Sequence, residues 1–509
     1  MRGWERERVV GWVGPLSVAV LALVLRLWHL GRPNLLVFDE TYYAKDAYSL
    51  LQHGYVQDFV EDANDKIVAG DLADLMTGQP AYIAHPDGGK WLIALGEQLF
   101  GMDSFGWRVS AAVVGALTVL VLARLVRRLT GSTWVGCLAG LLLCLDGMHL
   151  VMSRTALLDV FLAFWVVAAV ACLVADRDAV RARLDRHRPW RPWQLAAGLC
   201  FGMATATKWS GLYALAAFGL VVVAWEVLAR RSHARETGSS GPRFGWIRTT
   251  LVTGLPAFVT IVGVTLVVYL VSWTGFLLHH ELYAERYGLG DPSWGAYVAS
   301  PTPGALGAVT DAFRSLWHFH AMLFDFHTGD YLAGKTHPYA SNPLGWLVLE
   351  RPVAFDAQND LPAATCGAPA DSSCMRVVTA LGNPAVWWTG SLAVIASVVA
   401  WFRTRDGRWA VPVVGVAAGW LPWFLSTDRP IFSFYAVVVL PFMIVAVCLL
   451  VDEARRAATT ARQRYAVGLV VGLLVVATVA LFWFFQPIWT DALISYDAWY
   501  RRMWFSRWI

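Results

Sequence analysis

The apolar run at 11–30 reads GWVGPLSVAVLALVLRLWHL, and the stretch Phe38-Asp39-Glu40-Thr41-Tyr42-Tyr43 follows it closely. A run of this length is long enough to cross a bilayer as a helix, so the Asp-Glu pair should lie where the chain leaves the membrane. Acids beside a membrane are often only solvated loop charges. The pair is therefore a candidate site only if the rest of the chain supports one.

The composition indicates an all-α polytopic membrane protein, with residues 1–509 as a single membrane domain. The chain is 57% hydrophobic and 15% charged, whereas soluble domains carry about 25% charged residues. We predict eleven spans from runs that approach or exceed the ~18 apolar residues of a membrane helix. They lie near 11–30, 107–128, 132–150, 155–175, 193–208, 210–229, 249–272, 384–402, 409–425, 433–451 and 465–485.

The basic residues predict how these spans are oriented. Lys and Arg concentrate before the first span and in alternate loops, such as 176–191 and 230–248. By the positive-inside rule, the N-terminus is expected in the cytoplasm and the C-terminus outside. The external parts are then a first loop at 31–106, a second at 273–383 and an amphipathic tail at 486–509. The large excess of Arg over Lys suggests a bacterial chain, hence a plasma membrane.

Several common kinds of site have no motif in this sequence. It has no GxxxxGK[ST] loop, no GxGxxG after a strand, no HExxH and no CxxC, so we expect no nucleotide cofactor, no nucleic-acid partner and no metal. Five of the seven cysteines lie in apolar runs. Cys366 and Cys374 lie in the second external loop, where an oxidising exterior would favour a disulfide over two free thiols.

Charged residues gather near the predicted outer ends of the spans. Arginine suits phosphate because its guanidinium forms bidentate hydrogen bonds. For Asp146, Arg154 and Asp159, we favour a structural ion pair that closes one hairpin over direct catalysis. An acidic pair, cations and a lipid-facing surface together suggest an enzyme that uses a lipid-phosphate donor outside the cell. The other charged candidates are Arg26, Asp39, Glu40, His85, Lys90, Arg108, Lys208 and Arg429.

The order of the polar motifs resembles that of the protein O-mannosyltransferases, a family of multispanning GT-C glycosyltransferases, in its actinobacterial form. Two departures are visible: the family's His-Pro-Pro-x-x-Lys is His-Pro-Asp-Gly-Gly-Lys here, and the second loop is too short for the β-trefoil domain of eukaryotic members. The matching motifs are Phe38-Asp39-Glu40, His85-Pro86 with Lys90, Gly106-Trp107-Arg108, Ser153-Arg154-Thr155-Ala156-Leu157-Leu158-Asp159, Thr207-Lys208-Trp209-Ser210-Gly211 and Phe326-His327 with His337-Pro338-Tyr339-Ala340-Ser341-Asn342-Pro343.

The resemblance implies transfer of mannose from polyprenyl-phosphate mannose to Ser or Thr hydroxyls of exported proteins. A phosphate is a good leaving group, so one carboxylate can suffice as general base, in contrast to the two carboxylates of inverting hydrolases. We expect Asp39 to be this base, with inversion at the sugar. Glu40 is expected to orient the acceptor or to support the first loop.

The remaining candidates receive supporting roles. Three arginines are expected to bind the donor phosphate, with two lysines as weaker candidates, although Arg429 is equally consistent with a membrane-interface anchor. The histidines are expected to shape the acceptor groove through hydrogen bonds rather than to bind a metal. The phosphate set is Arg26, Arg108, Arg429, Lys90 and Lys208, and the acceptor or support set is His85, Arg154, Asp159, His327 and His337.

Two other functions remain open at this point. A related enzyme would glycosylate a cell-envelope glycan or lipid from the same kind of donor. A transporter of lipid-linked sugars would be expected to show internal repeats and charges near mid-membrane. Neither feature is evident in the sequence, and the informative charges gather at one face. Docking on the protein secretion channel would suit an enzyme that modifies unfolded exported chains.

Overall fold

The computed structural model describes residues 3–182, 184, 191–237, 246–291, 293–294 and 300–509, and these residues are mostly helical. The described helices are α1 (Gly3–Leu27), α2 (Glu40–His53), α3 (Ala63–Val68), α4 (Gly88–Phe100), α5 (Gly106–Thr130), α6 (Thr133–Cys144), α7 (Gly147–Met152), α8 (Leu158–Arg181), α9 (Pro192–Thr207), α10 (Gly211–Glu236), α11 (Trp246–Ser272), α12 (Thr274–Leu278), α13 (His280–Tyr287), α14 (Gly304–Thr328), α15 (Asp330–Ala333), α16 (Pro384–Thr404), α17 (Ala410–Trp420), α18 (Leu440–Ala457), α19 (Ala461–Trp489) and α20 (Tyr496–Tyr500).

Helices occupy each of the eleven predicted spans, although several are divided. The third predicted span consists of α6 and α7. A 3-10 turn at Leu421–Leu425 completes the ninth span, and another at Ser433–Val438 begins the tenth. Seven of the described helices are individually long and apolar enough to cross a membrane. The helical membrane architecture is therefore confirmed, whereas the count of eleven and the orientation remain predictions. The seven are α1, α5, α8, α10, α11, α16 and α19.

Two small sheets add strands that the all-α prediction did not include. In the first loop, β1 (Gln57–Phe59) pairs antiparallel with β2 (Met76–Pro80). Beyond the second loop's helices, β3 (Val353–Leu361), β4 (Cys374–Ala380) and β5 (Ile494–Ser495) form an antiparallel sheet in that order. Cys366 and Cys374 form a disulfide within the β3–β4 connection.

The helices differ in how much of their surface is covered by protein. Helix α8 is apolar on all sides and largely buried, as expected for a central helix, and it packs against α5, α9 and α10. Helix α19 lies at the periphery and exposes an apolar surface, for example Val470 and Val476. Such a surface is what a membrane helix presents to lipid.

Buried acids join helix ends in the part of the molecule that we expect to face the cytoplasm. Arg191 contacts both Asp176 and Glu226. Asp452 is fully buried and pairs with several arginines, among them Arg456 at 2.8 Å. These ion pairs hold the helix ends together at the side opposite to the Asp-Glu pair along the spans.

Candidate functional site

The turn between α1 and α2 positions Asp39. Phe38 adopts a φ of 48°, which is an unfavourable conformation for a bulky side chain and persists only when packing fixes it. Its ring stacks on Phe355 with centroids 5.0 Å apart and meets Phe434 edge-on at 5.6 Å. Asp39 occupies the N-cap of α2 without bonding the helix backbone through its side chain. Packing thus fixes the position of Phe38, and the side chain of Asp39 remains available to the cavity.

Asp39 is half-buried and lines a cavity of about 560 Å³. Burial raises the pKa of its carboxyl to about 6. The charge of Lys208 opposes this rise, and that of Asp159 adds to it. Because a general base works best with a pKa near the operating pH, Asp39 is suited to remove a proton at neutral pH.

Glu40 points away from the cavity and is fully buried. Its carboxylate accepts two hydrogen bonds from Arg108, both 2.8 Å long. It also accepts backbone N–H groups of Val37 at 3.0 Å and Ala156 at 2.8 Å. Glu40 therefore joins the first loop to the start of α5 and the segment before α8, which matches the support role and not a direct part in catalysis.

Arg108 does not have the geometry expected of a phosphate ligand. Besides Glu40, its guanidinium donates to the backbone carbonyls of Leu30, Pro33 and Leu35. The side chain is fully buried in these contacts. We therefore correct the expected role: Arg108 fixes the chain as it leaves α1, since its donors are occupied by protein.

Lys208 is held in place by a carboxylate. Its ammonium contacts both oxygens of Asp159, at 3.0 and 2.8 Å, and lies 5.0 Å from the ring centroid of Tyr435. The pair joins the turn after α9 to the first turn of α8. Lys208 thus contributes an oriented, partly neutralised positive charge beside Asp39.

Arg429 is the least satisfied of the expected phosphate ligands. Its Nη1 lies 3.4 Å from Nδ1 of His327, and its Nε is buried without a hydrogen-bond partner. Among the described residues, no carboxylate forms an ion pair with it. Its charge acts on His85 and His327. An anion placed near Arg429 would therefore meet an available guanidinium.

His85 and His327 stack beside the cavity with ring centroids 5.5 Å apart. Nε2 of His327 donates to the carbonyl of Ala84 at 3.0 Å, so its Nδ1 is an acceptor toward Arg429. Burial lowers the pKa of both histidines, and the nearby Lys208 and Arg429 lower it further. Both rings are consequently neutral and able to accept hydrogen bonds at neutral pH.

His337 approaches the site through Phe38 rather than through Asp39. Its ring meets the edge of Phe38 at 6.2 Å and that of Phe432 at 5.0 Å. Its Nδ1 accepts the backbone N–H of Tyr339 at 3.2 Å. This packing supports the Phe38 turn, in agreement with a supporting role.

Lys90 is fully engaged with carboxylates, unlike an expected phosphate ligand. It contacts Asp46 and Asp87, each at 3.0 Å, and is almost completely buried. Asp87 stands where the family has its second proline, so this departure supplies Lys90 with a partner on its own helix. The corrected role of Lys90 is to fasten α4 to α2.

Arg26 disagrees with its expected phosphate role, whereas Arg154, from the acceptor or support set, contacts the protein backbone. Arg26 is fully buried and contacts Nδ1 of His149 at 2.8 Å, far from the cavity lining. Arg154 donates to carbonyls at the end of α1, including Arg26 and Trp28 at 2.7 and 2.6 Å. A cation there complements the negative end of the helix dipole.

The expected ion pair among Asp146, Arg154 and Asp159 is therefore wrong. Asp146 accepts the backbone N–H groups of His149 and Asn383, each at 2.9 Å. Asp159 pairs with Lys208, as described above. Asp146, Arg154 and Asp159 are close in sequence, but each contacts a different part of the protein, because the helices diverge after the short turn.

Sequence reasoning missed several residues that the fold brings to the cavity. Tyr43 is buried with its ring 6.2 Å from His85, and its position four residues after Asp39 on α2 was a signal for the same face. Tyr435 lies outside the cavity lining beside Lys208 and had no such signal, since it reaches Lys208 only through tertiary packing. The other cavity-lining residues are Thr41, Tyr42, Lys45, Asp46, Gln57, Asp58, Phe59, Ala81, Tyr82, Ala84, Lys90 and Phe326.

The chain matches two family descriptions. "Dolichyl-phosphate-mannose-protein mannosyltransferase" matches residues 16–280, and "C-terminal four TMM region of protein-O-mannosyltransferase" matches residues 312–508. A polyprenol-phosphate-mannose–protein mannosyltransferase of Mycobacterium tuberculosis is 35% identical, with 99% of this chain and 92% of that protein covered. The protein of the same name from Corynebacterium glutamicum is 29% identical, with 99% and 94% covered.

Solved structures agree on the fold. The Saccharomyces cerevisiae protein O-mannosyltransferase Pmt1-Pmt2 complex bound to the sugar donor matches with a TM-score of 0.70 and 15% identity, covering 99% of this chain and 93% of that chain. The Archaeoglobus fulgidus oligosaccharyltransferase AglB matches with a TM-score of 0.51 and 13% identity, covering 97% and 57%. These likenesses confirm the predicted GT-C membrane fold. The chain belongs to the protein O-mannosyltransferase family, as its motifs predict.

Proposed function

We propose that this protein transfers mannose from a polyprenyl-phosphate donor to Ser or Thr hydroxyls of exported proteins, at the outer face of the plasma membrane. Family membership and the names of the curated relatives support the reaction. The observation that carries the residue assignment is the half-buried Asp39, which lines an open cavity and feels the positive charge of Lys208. The proposal requires no metal or other cofactor.

Asp39 acts as the general base in this mechanism. The acceptor hydroxyl attacks C1 of mannose while its proton passes to the Asp39 carboxylate. The bond between C1 and the phosphate oxygen breaks, and its electron pair leaves with the lipid phosphate. Attack from the face opposite to the phosphate inverts the configuration at C1. A single carboxylate suffices because the departing phosphate needs no proton.

Arg429 is the residue best placed to hold the donor phosphate. Its buried, unpartnered Nε and its neutral neighbour His327 leave hydrogen-bonding capacity toward an anion. A guanidinium stabilises the negative charge that develops on the leaving phosphate. Lys208 is a second candidate, although Asp159 neutralises part of its charge.

Lys208 also supports the base. Its positive charge lowers the pKa of Asp39 against the effect of burial. Without this charge, a carboxyl in such a buried position would hold its proton more tightly, so a smaller fraction of sites would be ready to accept one. The Lys208–Asp159 pair therefore links the donor side of the cavity to the protonation state of Asp39.

The assignment of Asp39 is tested by replacing it with asparagine. We expect Asp39→Asn to reduce mannose transfer to a Ser/Thr peptide by about 10²–10⁴-fold, the usual contribution of a general base. Asp58→Asn is the matched control, because Asp58 lines the same cavity but is partly exposed and paired with Arg286. Near-normal transfer by Asp39→Asn, at equal amounts of protein in the membrane, would refute the assignment.

A separate assay identifies the acceptor. One labelled lipid donor is supplied with a Ser/Thr peptide and with cell-envelope glycans in parallel reactions. Label in the peptide supports protein mannosylation, whereas label only in the glycan would show that the family's chemistry serves another acceptor. Docking on the secretion channel is a further part of the proposal, and co-purification with the channel tests it.

A further inference from the structure

Helix α14 (Gly304–Thr328) has an apolar surface that no described part of the protein covers. Its exposed residues Leu306, Phe313, Trp317 and Phe324 recur at helical spacing on one side. Over the 18 residue-to-residue steps from Leu306 to Phe324, this stripe extends for about 27 Å. The side chain of Trp317 is 75% exposed. We call this stripe the α14 outer face.

The opposite side of α14 is equally apolar, but it is buried in protein. Leu316, Phe319 and Leu323 pack in a cluster with Trp273 and Phe276. A helix that is apolar on both sides is normally enclosed on both sides, either by protein or by lipid. The inner side is covered by the second loop, so the outer face requires another cover.

The position of α14 relative to the spans shows which cover is available. His320 accepts a 2.6 Å hydrogen bond from the hydroxyl of Tyr269, which lies in the last turn of the membrane helix α11. The indole of Trp209, just before membrane helix α10, lies 5.8 Å from the ring of His320 and 6.0 Å from that of His327. His320 and His327, which are two turns apart on α14, thus both contact Trp209 at the start of α10. The helix crosses the ends of α10 and α11 at this point.

Apolar residues are also exposed at the end of α11, a helix long and apolar enough to cross a membrane, and just after it. Val267 and Val271 are exposed on the last turns of α11, and Leu278 of α12 is 75% exposed directly after it. Tyr331 follows α14, with Lys335 placed 4.7 Å from its ring. Aromatic rings and lysines of this kind are enriched at the membrane–water boundary.

From these observations we propose that α14 lies in the membrane interface on the side of Asp39, with its outer face immersed in the lipid leaflet. Interfacial helices bury their apolar face to about 5–10 Å, at the level of the headgroups. The helix does not span the membrane, since it carries Asp311, Arg314 and Asp325 and is not among the spanning helices described above.

This placement has a consequence for the site. The last turn of α14 carries Phe326, which lines the cavity, and His327, which contacts both Ala84 and Arg429. Lipid contact along the helix therefore sets the height of these two residues above the membrane. A donor whose phosphate lies at the headgroup level would meet them at a fixed depth.

Spin labels on α14 test the proposal without relying on mannose transfer. Trp317→Cys and Phe324→Cys place a nitroxide on the outer face, and Asp325→Cys places one about a quarter of a turn away. The full chain is reconstituted in nanodiscs of phosphatidylethanolamine and phosphatidylglycerol. Power-saturation measurements then compare collisions with oxygen, which enriches in lipid, and with a water-soluble nickel chelate. The unsubstituted protein reports background labelling of its own cysteines.

We expect the oxygen-to-nickel collision ratio at positions 317 and 324 to exceed that at 325 several-fold. A high nickel accessibility at all three positions would show that the outer face is in water and would overturn the proposal. Labels at 317 and 324 that collide with neither reagent would also overturn it, because a protein partner or a second copy would then cover the face. Retained mannose transfer by each variant confirms that the labelled proteins are folded.

Discussion

The pH dependence of mannose transfer provides a direct test of how the Asp39 base is tuned. As the proposed base, Asp39 must be ionised to accept the acceptor's proton, and its pKa is raised to about 6. Activity should therefore be complete well above pH 6 and fall as the pH drops through 6. At pH 5 about one tenth of the sites carry an ionised Asp39, so the rate should be about tenfold below its plateau.

We call the part of the pH profile where activity falls with decreasing pH the acidic limb. Two substitutions should move this limb in opposite directions. Lys208→Met removes the positive charge that lowers the pKa of Asp39, so the limb should move to higher pH. Asp159→Asn removes the negative charge that raises this pKa, so the limb should move to lower pH. A neighbouring charge typically shifts a carboxyl pKa by about 1–3 units. A shift of about one unit in the lysine variant would lower the rate at pH 6 several-fold.

Other titrating groups near Asp39 should not obscure this limb. The pKa values of His85 and His327 are lowered by burial and nearby cations, which moves their titration below the range of an ordinary histidine. Burial also raises the pKa of the Asp46 carboxyl on the same cavity, although its partner Lys90 opposes the rise. Asp46→Asn is therefore the control that must keep an acidic limb if the limb belongs to Asp39.

The assay is a single-turnover transfer from saturating lipid donor to a Ser/Thr peptide between pH 5 and pH 8. Single turnover excludes product release, which would flatten the profile. A pH-independent rate in this interval would refute the role of Asp39. Limbs at the same pH in the Lys208→Met and Asp159→Asn variants would refute the tuning by this ion pair.

Three further predictions concern residues around the base. Glu40→Gln should lower the free energy of unfolding by about 3–5 kcal/mol, since it leaves the buried Arg108 without its anionic partner. Thermal unfolding in detergent measures this change, and unchanged stability would contradict the support role. Arg429→Met should raise the KM for the lipid donor more than that for the peptide, and Arg429→Lys should restore part of the donor affinity; an effect confined to the peptide would contradict phosphate binding. Replacing Cys366 and Cys374 with serine should cost about 2–3 kcal/mol from the chain entropy of a short loop, visible as a lower unfolding temperature with an unchanged pH profile.

The overall architecture was predictable because apolar runs carry it directly. Each run long enough to span a bilayer became a helix or a helix pair. The breaks within spans were not predictable from hydropathy. Leu145 and Asp146 interrupt the third span because the Asp146 carboxylate accepts N–H groups from two elements far apart in sequence.

Some residues of the site could be identified from the local sequence, whereas the roles of others depend on partners that only the fold brings together. Asp39 could be found from its place after the first span. Arg108 could not be assigned, since its partner Glu40 lies 68 positions away and nothing local indicates that the pair is buried. Lys90 was misassigned although Asp87, three residues earlier, was a visible partner. The family resemblance gave that lysine a motif position, but the local i,i+3 pair decides its role.

The separation of the two neighbouring acids would allow the proposed base to operate in so charged a site. Two carboxylates that share a site cannot both ionise easily, so an unpaired Glu40 beside Asp39 would raise the pKa of one of them strongly. Arg108 prevents this because it draws Glu40 out of the cavity and neutralises it. Asp39 is then left under the opposing influences of burial and Lys208, with Asp159 limiting the effect of the lysine. A stronger cation would make Asp39 a weaker base, and without a cation a smaller fraction of Asp39 would be ionised at neutral pH. The Lys208–Asp159 pair supplies an intermediate field, which keeps Asp39 ionised at neutral pH and still basic enough to take the acceptor's proton.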